Sequence, residues 1–136
     1  VTPALEAICE ATVYMSGVGA DNVNCAAAHS FYNGLTSLGG HSAPHGNCVA
    51  FGTLVQLVLE GVPQEEFDEV QDFCLEVGLP TTLEEVGITT DEQIKKIAEA
   101  ACVPGETIHN LAGDVTPDEL YAAIVQADAM GRALKA

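Results

Sequence analysis

Tryptophan is absent from this chain, aromatic residues of all kinds make up 5%, and 4 lysines and arginines stand against 20 aspartates and glutamates. Each shortage excludes something. So few rings leave no platform on which bases or sugars could stack. A formal charge of −16 with neutral histidines repels phosphate backbones and anionic lipid heads, so neither nucleic acid nor a membrane surface is expected as a partner. The same acidity also suits solubility or adaptation to high salt. No apolar run approaches the roughly 20 residues that cross a bilayer. The first apolar stretch holds Glu6 and Glu10 and has no basic leader, so no signal peptide is read. The chain opens at Val1, without Met, directly on a helix-start signal; we expect a processed chain or a piece of something longer.

Paired cysteine patterns are missing too. Cys9, Cys25, Cys48, Cys74 and Cys102 are odd in number, dispersed, and never spaced Cys-x-x-Cys. That excludes a disulfide framework and a thiolate zinc knuckle. Free cysteines of this kind behave as small apolar residues and fit a reducing cytoplasm, the expected location. What is present is apolar content: 48% of 136 residues, enough for one domain around a single core and too much for a disordered tail.

Helix starts are written repeatedly. Thr2-Pro3 sets a capping hydroxyl before a proline at the first helical position, and Pro63 opens a helix in the same way. Thr82 with Glu85, Thr90 with Gln93 and Thr116 with Glu119 each have capping-box spacing, with Pro117 opening the last. Stops are expected at Gly17, Gly39-Gly40, Gly61, Gly78 and Gly87. Between these marks the apolar spacing is helical, as in Phe67, Val70, Phe73, Cys74 and Val77, in Ile94, Ile97, Ala98 and Ala101, and in Leu120, Tyr121, Ile124, Val125 and Ala127. Residues 48–59 are apolar all round, which predicts a helix in the middle of a bundle. The acidic residues of 63–77 read as a solvated outer face. No strict alternation between hairpin turns occurs, so strands are not expected. The fold class is all-α, a bundle of roughly six to eight helices in one domain over residues 1–136.

The histidines are His29, His41, His45 and His109. His29 falls inside a helix expected over residues 24–38. His41 and His45 fall in the loop that follows. A short loop folds the next segment back alongside that helix, so the imidazoles of His29 and His45 can converge. The small residues Ala26, Ala27 and Ala28 leave space around His29. Two neutral imidazoles, a carboxylate and an open position make a catalytic divalent-metal site. The spacing equally fits a hydrogen-bonded core histidine and a solvent-facing loop histidine. His41 reads as a solvent-exposed loop residue or as part of a substrate entrance. His109 reads as local packing and hydrogen bonding.

The blocks Tyr14-Met15-Ser16-Gly17-Val18-Gly19, Ala26-Ala27-Ala28-His29, Asn33-Gly34-Leu35-Thr36, His45-Gly46, Val49-Ala50-Phe51-Gly52-Thr53-Leu54, Val77-Gly78-Leu79-Pro80 and Gly105-Glu106-Thr107-Ile108-His109-Asn110 stand in an order that covers nearly the whole chain. In them the chain resembles the C-terminal helical half of glycerol dehydrogenases, within the metal-dependent (iron-containing) alcohol dehydrogenase family. The resemblance implies that His29 and His45 are two of three protein ligands to a catalytic zinc, with iron as the other candidate ion. It implies that the third ligand, an aspartate, lies upstream of Val1. The family's nucleotide-binding α/β domain has no counterpart here: Gly17-Val18-Gly19 follows a helix and is not a dinucleotide turn. Asp21-Asn22-Val23-Asn24-Cys25 stands where the family usually carries a Ser-Gly-Gly stretch, and the loop before His45 is about one residue short.

The function expected is the metal-binding helical part of an NAD-dependent glycerol, or vicinal diol, dehydrogenase that forms dihydroxyacetone from glycerol. It is expected to be inactive without the N-terminal half, which would be its partner alongside the diol. The alternatives are a non-catalytic helical interaction module derived from that family and one part of a split enzyme. Self-association into a homo-oligomer is expected through faces of the helices around residues 49–59.

Overall fold

The computed structural model describes residues 1–39 and 43–135 of the chain. Among the described residues there is no strand, and the chain is all-α. Six α-helices follow one another: α1 (Pro3–Asn22), α2 (Ala27–Thr36), α3 (His45–Glu60), α4 (Gln64–Val77), α5 (Asp91–Ala101) and α6 (Pro117–Ala133). Short 3-10 turns at Glu84–Val86 and Thr107–Asn110 complete the order. No described helix is long and apolar enough to cross a membrane.

The written starts act as expected at three helices. The Thr2 hydroxyl accepts from Leu5 N, and Thr90 with Gln93 and Thr116 with Glu119 close full capping boxes. Pro63 sits one place earlier than expected, as the N-cap of α4. Thr82 and Glu85 have the spacing of a helix start but begin only one 3-10 turn, because Gly87 turns left-handed (φ 82°) before an α-helix can propagate. Gly61 and Gly78 end α3 and α4 with φ of 64° and 76°, the conformation that costs glycine least.

Gly17 does not stop α1, which runs on to Asn22. A glycine ends a helix only where the chain turns left-handed, and the residue that does so here is Asn24, at φ 66°. The helix expected from residue 24 therefore begins at Ala27.

At the centre lie α2 and α3. α2 packs on α3 and α5, and α3 packs on α2, α4 and α6. Phe31 and Phe51 meet across the α2–α3 seam with ring centroids 5.4 Å apart, and Leu35, Leu54, Ile97, Ile108, Leu120 and Ile124 close the core around them. α3 thus has the central place expected for it. The wide stripe expected on α4 is narrower in the structure: Phe67 and Cys74 are buried, but Phe73 and Val77 are 57% and 54% exposed, and Gln71 takes a buried place. α4 docks mainly on α3, and a helix held from one side buries only a narrow row. On α6, Val125 likewise turns outward.

The 3-10 turn at Glu84–Val86 is tied down by Glu85. Its carboxylate accepts from Thr81 N and Thr82 N, both at 3.0 Å, from the Thr82 hydroxyl at 2.8 Å, and pairs with Lys135 at 2.6 Å. Burial pushes its pKa up, but the bonds from Lys135, Thr81 and Thr82 outweigh that and hold it at about 2, below the ordinary 4.5. A depressed carboxylate stabilises the fold above its unfolded pKa and loses that contribution as pH falls towards the folded value. With the side chain 40% exposed, solvent screening keeps the contribution modest. In acid titrations followed by circular dichroism, Glu85→Gln is expected to flatten the loss of stability between pH 4.5 and 2.

Candidate metal centre

The two imidazoles singled out in the sequence meet. His29 lies in the first turn of α2 and His45 opens α3; their ring centroids are 5.6 Å apart and their planes are inclined at 55°. His45, expected in the loop, is instead the first helical residue, because Pro44, with φ −57° and ψ 147°, sets the chain to enter the helix there. His29 is half-buried and His45 exposed. Burial lowers the His29 pKa first, and the neighbouring His45 lowers it further. Both causes keep that ring neutral, the form that offers a lone pair to a metal.

Tyr32, one turn after His29 on the same face of α2, presents its ring edge-on to His45 with centroids 4.3 Å apart. Composition and motif spacing do not single out Tyr32; its helical spacing from His29 is the signal that finds it. Among the described residues no group of three or more histidines, cysteines, aspartates or glutamates could hold a metal. His29 and His45 would offer zinc or iron two imidazole donors, which suit either ion, and would leave the remaining ligands to another segment.

His29 also borders a cleft of about 360 Å³ whose wall includes Asn24, Cys25, Gln56, Glu60 and Asn110. The segment leading into α2 is anchored by the turn at Thr107–Asn110. Asn110 Nδ2 donates to the Cys25 carbonyl at 2.7 Å, the Thr107 hydroxyl donates to the Ala26 carbonyl at 2.9 Å, and Ile108 N donates to Ser30 Oγ at 2.7 Å. This gives the block around Gly105 to Asn110 a physical task that the sequence alone did not show. His109 itself is exposed and pairs with the Val103 carbonyl at 3.2 Å, away from the other rings, as its reading as a local hydrogen-bonding residue required. His41 lies outside the described residues.

Asn24 decides whether the altered segment before Ala26 can still form the turn. Its φ of 66° is one that glycine adopts freely and asparagine tolerates better than other residues, and its side-chain oxygen accepts from Cys25 N at 3.2 Å. With asparagine here the left-handed turn forms without a glycine. Thermal unfolding is expected to show Asn24→Gly within a few tenths of a kcal/mol of the parent and Asn24→Val destabilised by about 1–2 kcal/mol.

No protein-family model matches the chain. Individual relatives do. A glycerol dehydrogenase of Pseudomonas putida is 50% identical over 135 residues, and one of Escherichia coli O6:H1 is 51% identical, each match covering 97% of this chain. The chain belongs to the glycerol dehydrogenase family. It corresponds to the C-terminal helical part and spans 37% of the length of those relatives. A solved structure titled a probable glycerol dehydrogenase from Sinorhizobium meliloti superposes with a TM-score of 0.90 at 41% identity, covering 98% of this chain and 39% of that one. A glycolaldehyde reductase of Halobacterium salinarum is 46% identical over 138 residues. Relatives named for oxidoreductase activity thus carry this same helical portion.

Proposed function

We propose that this chain is the metal-binding helical domain of an NAD-dependent oxidoreductase that oxidises glycerol, or a related vicinal diol, at its secondary alcohol to the hydroxy ketone. The observation that carries the reading is the 5.6 Å approach of His29 and His45. Two imidazoles from separate helices, one of them kept neutral, are suited to share one ion. Membership of the glycerol dehydrogenase family supports the substrate class.

A zinc or iron ion held there would supply Lewis acidity towards a substrate hydroxyl. The chain's own residues prepare that place. His29 offers an unprotonated nitrogen, because burial and His45 both oppose its charge. Tyr32 fixes the plane of the His45 ring by its edge-on contact. The bonds from Thr107 and Asn110 hold the entry to α2 still, so His29 keeps its place beside a cleft large enough for a small diol. The family's nucleotide-binding half and an aspartate ligand would come from polypeptide outside residues 1–136. Dehydrogenase activity is accordingly assigned to the whole assembly rather than to this domain alone.

Zinc-edge anomalous diffraction from crystals of the chain soaked in Zn²⁺ tests the reading. A peak between the two rings is expected. Its absence, with zinc content unaffected by loss of either histidine, would favour a non-catalytic helical module.

A further inference from the structure

We propose that Gln56 is a positioning residue for the His29–His45 pair, a role that rests on reading that pair as metal-binding. α2 begins without help from its own side chains, since its N-cap is Ala26 and no side chain of the cap binds the first turn. The acceptor comes instead from α3: Gln56 Oε1 accepts from Ala28 N, the amide just before His29, at 3.2 Å. The other end of the same side-chain amide donates to Glu60 Oε1 at 2.8 Å, which fixes the orientation that presents oxygen to α2.

The contact is reinforced one turn earlier. A Cβ on Gly52 would lie 2.6 Å from the Ala28 carbonyl oxygen, so the two helix backbones touch at the residue that precedes His29. His45, Gly52 and Gln56 stand at i, i+7 and i+11 and therefore share one face of α3. That face carries one imidazole at its start, touches α2 at its middle and caps α2 at its far end. Gly52 sets how close the helices come. Gln56 sets how α2 is placed along and around its own axis, and with it where the His29 ring stands relative to His45.

Replacing Gln56 by leucine keeps comparable bulk and removes the acceptor; Gln56→Glu, made together with Glu60→Gln so that the 56–60 hydrogen bond survives, keeps it. Titration calorimetry with Zn²⁺ on the 136-residue chain is expected to show Gln56→Leu weakened by about tenfold or more, and Gln56→Glu with Glu60→Gln within about threefold of the parent. Hydrogen exchange at the Ala28 amide should quicken in the leucine variant and stay slow in the glutamate variant. Should the leucine variant fail to fold, Gln56→Asn, polar but too short to reach Ala28, takes its place with the same expected loss. A folded leucine or asparagine variant that binds zinc as the parent does would overturn the role of Gln56 while leaving the metal site standing. A parent that binds zinc no better than a variant lacking both His29 and His45 would overturn the metal reading, and this role with it.

Discussion

Alanine in place of either His29 or His45 is expected to abolish zinc retention and NAD-linked diol oxidation together, in a protein where this chain is joined to the nucleotide-binding half of a relative. The two rings stand 5.6 Å apart, on helices that meet through backbone at Ala28 and Gly52. On the proposed reading each would be one donor of a small set, and among the described residues no group of three or more histidines, cysteines, aspartates or glutamates could hold a metal in its place. Loss of one donor should therefore weaken zinc binding by more than the roughly ten- to hundredfold typical of losing an outer hydrogen bond to a ligand. Metal content by mass spectrometry and turnover, measured on the same preparations, should fall in parallel. His109→Ala is the internal control. Among the described residues its ring pairs with the exposed Val103 carbonyl, so zinc should stay bound and stability should drop by about 1 kcal/mol at most. Full zinc content in His29→Ala would remove that residue from the ligand set.

The second large effect concerns association. Around residues 49–59, where self-association is expected, α3 itself offers only half-buried apolar side chains: it is central, and none of its large apolar side chains is exposed. Exposed apolar groups gather on α1 instead, where Leu5, Ile8, Val13, Tyr14, Met15 and Val18 are between 43% and 76% exposed. α1 makes at most slight contact with the other elements. A helix apolar on several sides and barely packed is marginal in water and seeks a partner surface. In full-length relatives, of which this chain spans 37%, further chain is available to cover it. For the chain alone, sedimentation velocity is expected to show association at micromolar concentration and monomers once residues 1–22 are removed. Ile8→Glu or Met15→Glu should each weaken association about tenfold or more, since burying such a side chain is worth roughly 1.5–3 kcal/mol. A clean monomer of the intact chain at high concentration would refute the assignment of α1 as a sticky face.

Much of the fold is legible in the sequence because local chemistry writes it. Thr90 with Gln93 and Thr116 with Glu119 cap helices through groups three residues apart, and Ile94, Ile97, Ala98 and Ala101 line one buried face by periodicity alone. The failures share a cause. Gly17 reads as a stop because glycine permits a left-handed turn, but permission does not impose one, and Asn24 makes the turn instead. Phe73 and Val77 fit an apolar stripe, yet α4 touches too little of the bundle to cover them. Tyr32 and Gln56 escape notice in the sequence because each matters only through a neighbour on another helix.

Sequence alone therefore determined the class of the fold, most of its helix boundaries and the two imidazoles worth watching, since all of these depend on groups within a few residues of one another or on the resemblance they carry. Tertiary structure decided which faces were buried, that His45 opens a helix rather than riding in a loop, and that it comes within reach of His29. The reason is that separation between helices is set where their surfaces meet. Here that meeting depends on a missing Cβ at Gly52 and a borrowed cap from Gln56, neither of which advertises its partner along the chain.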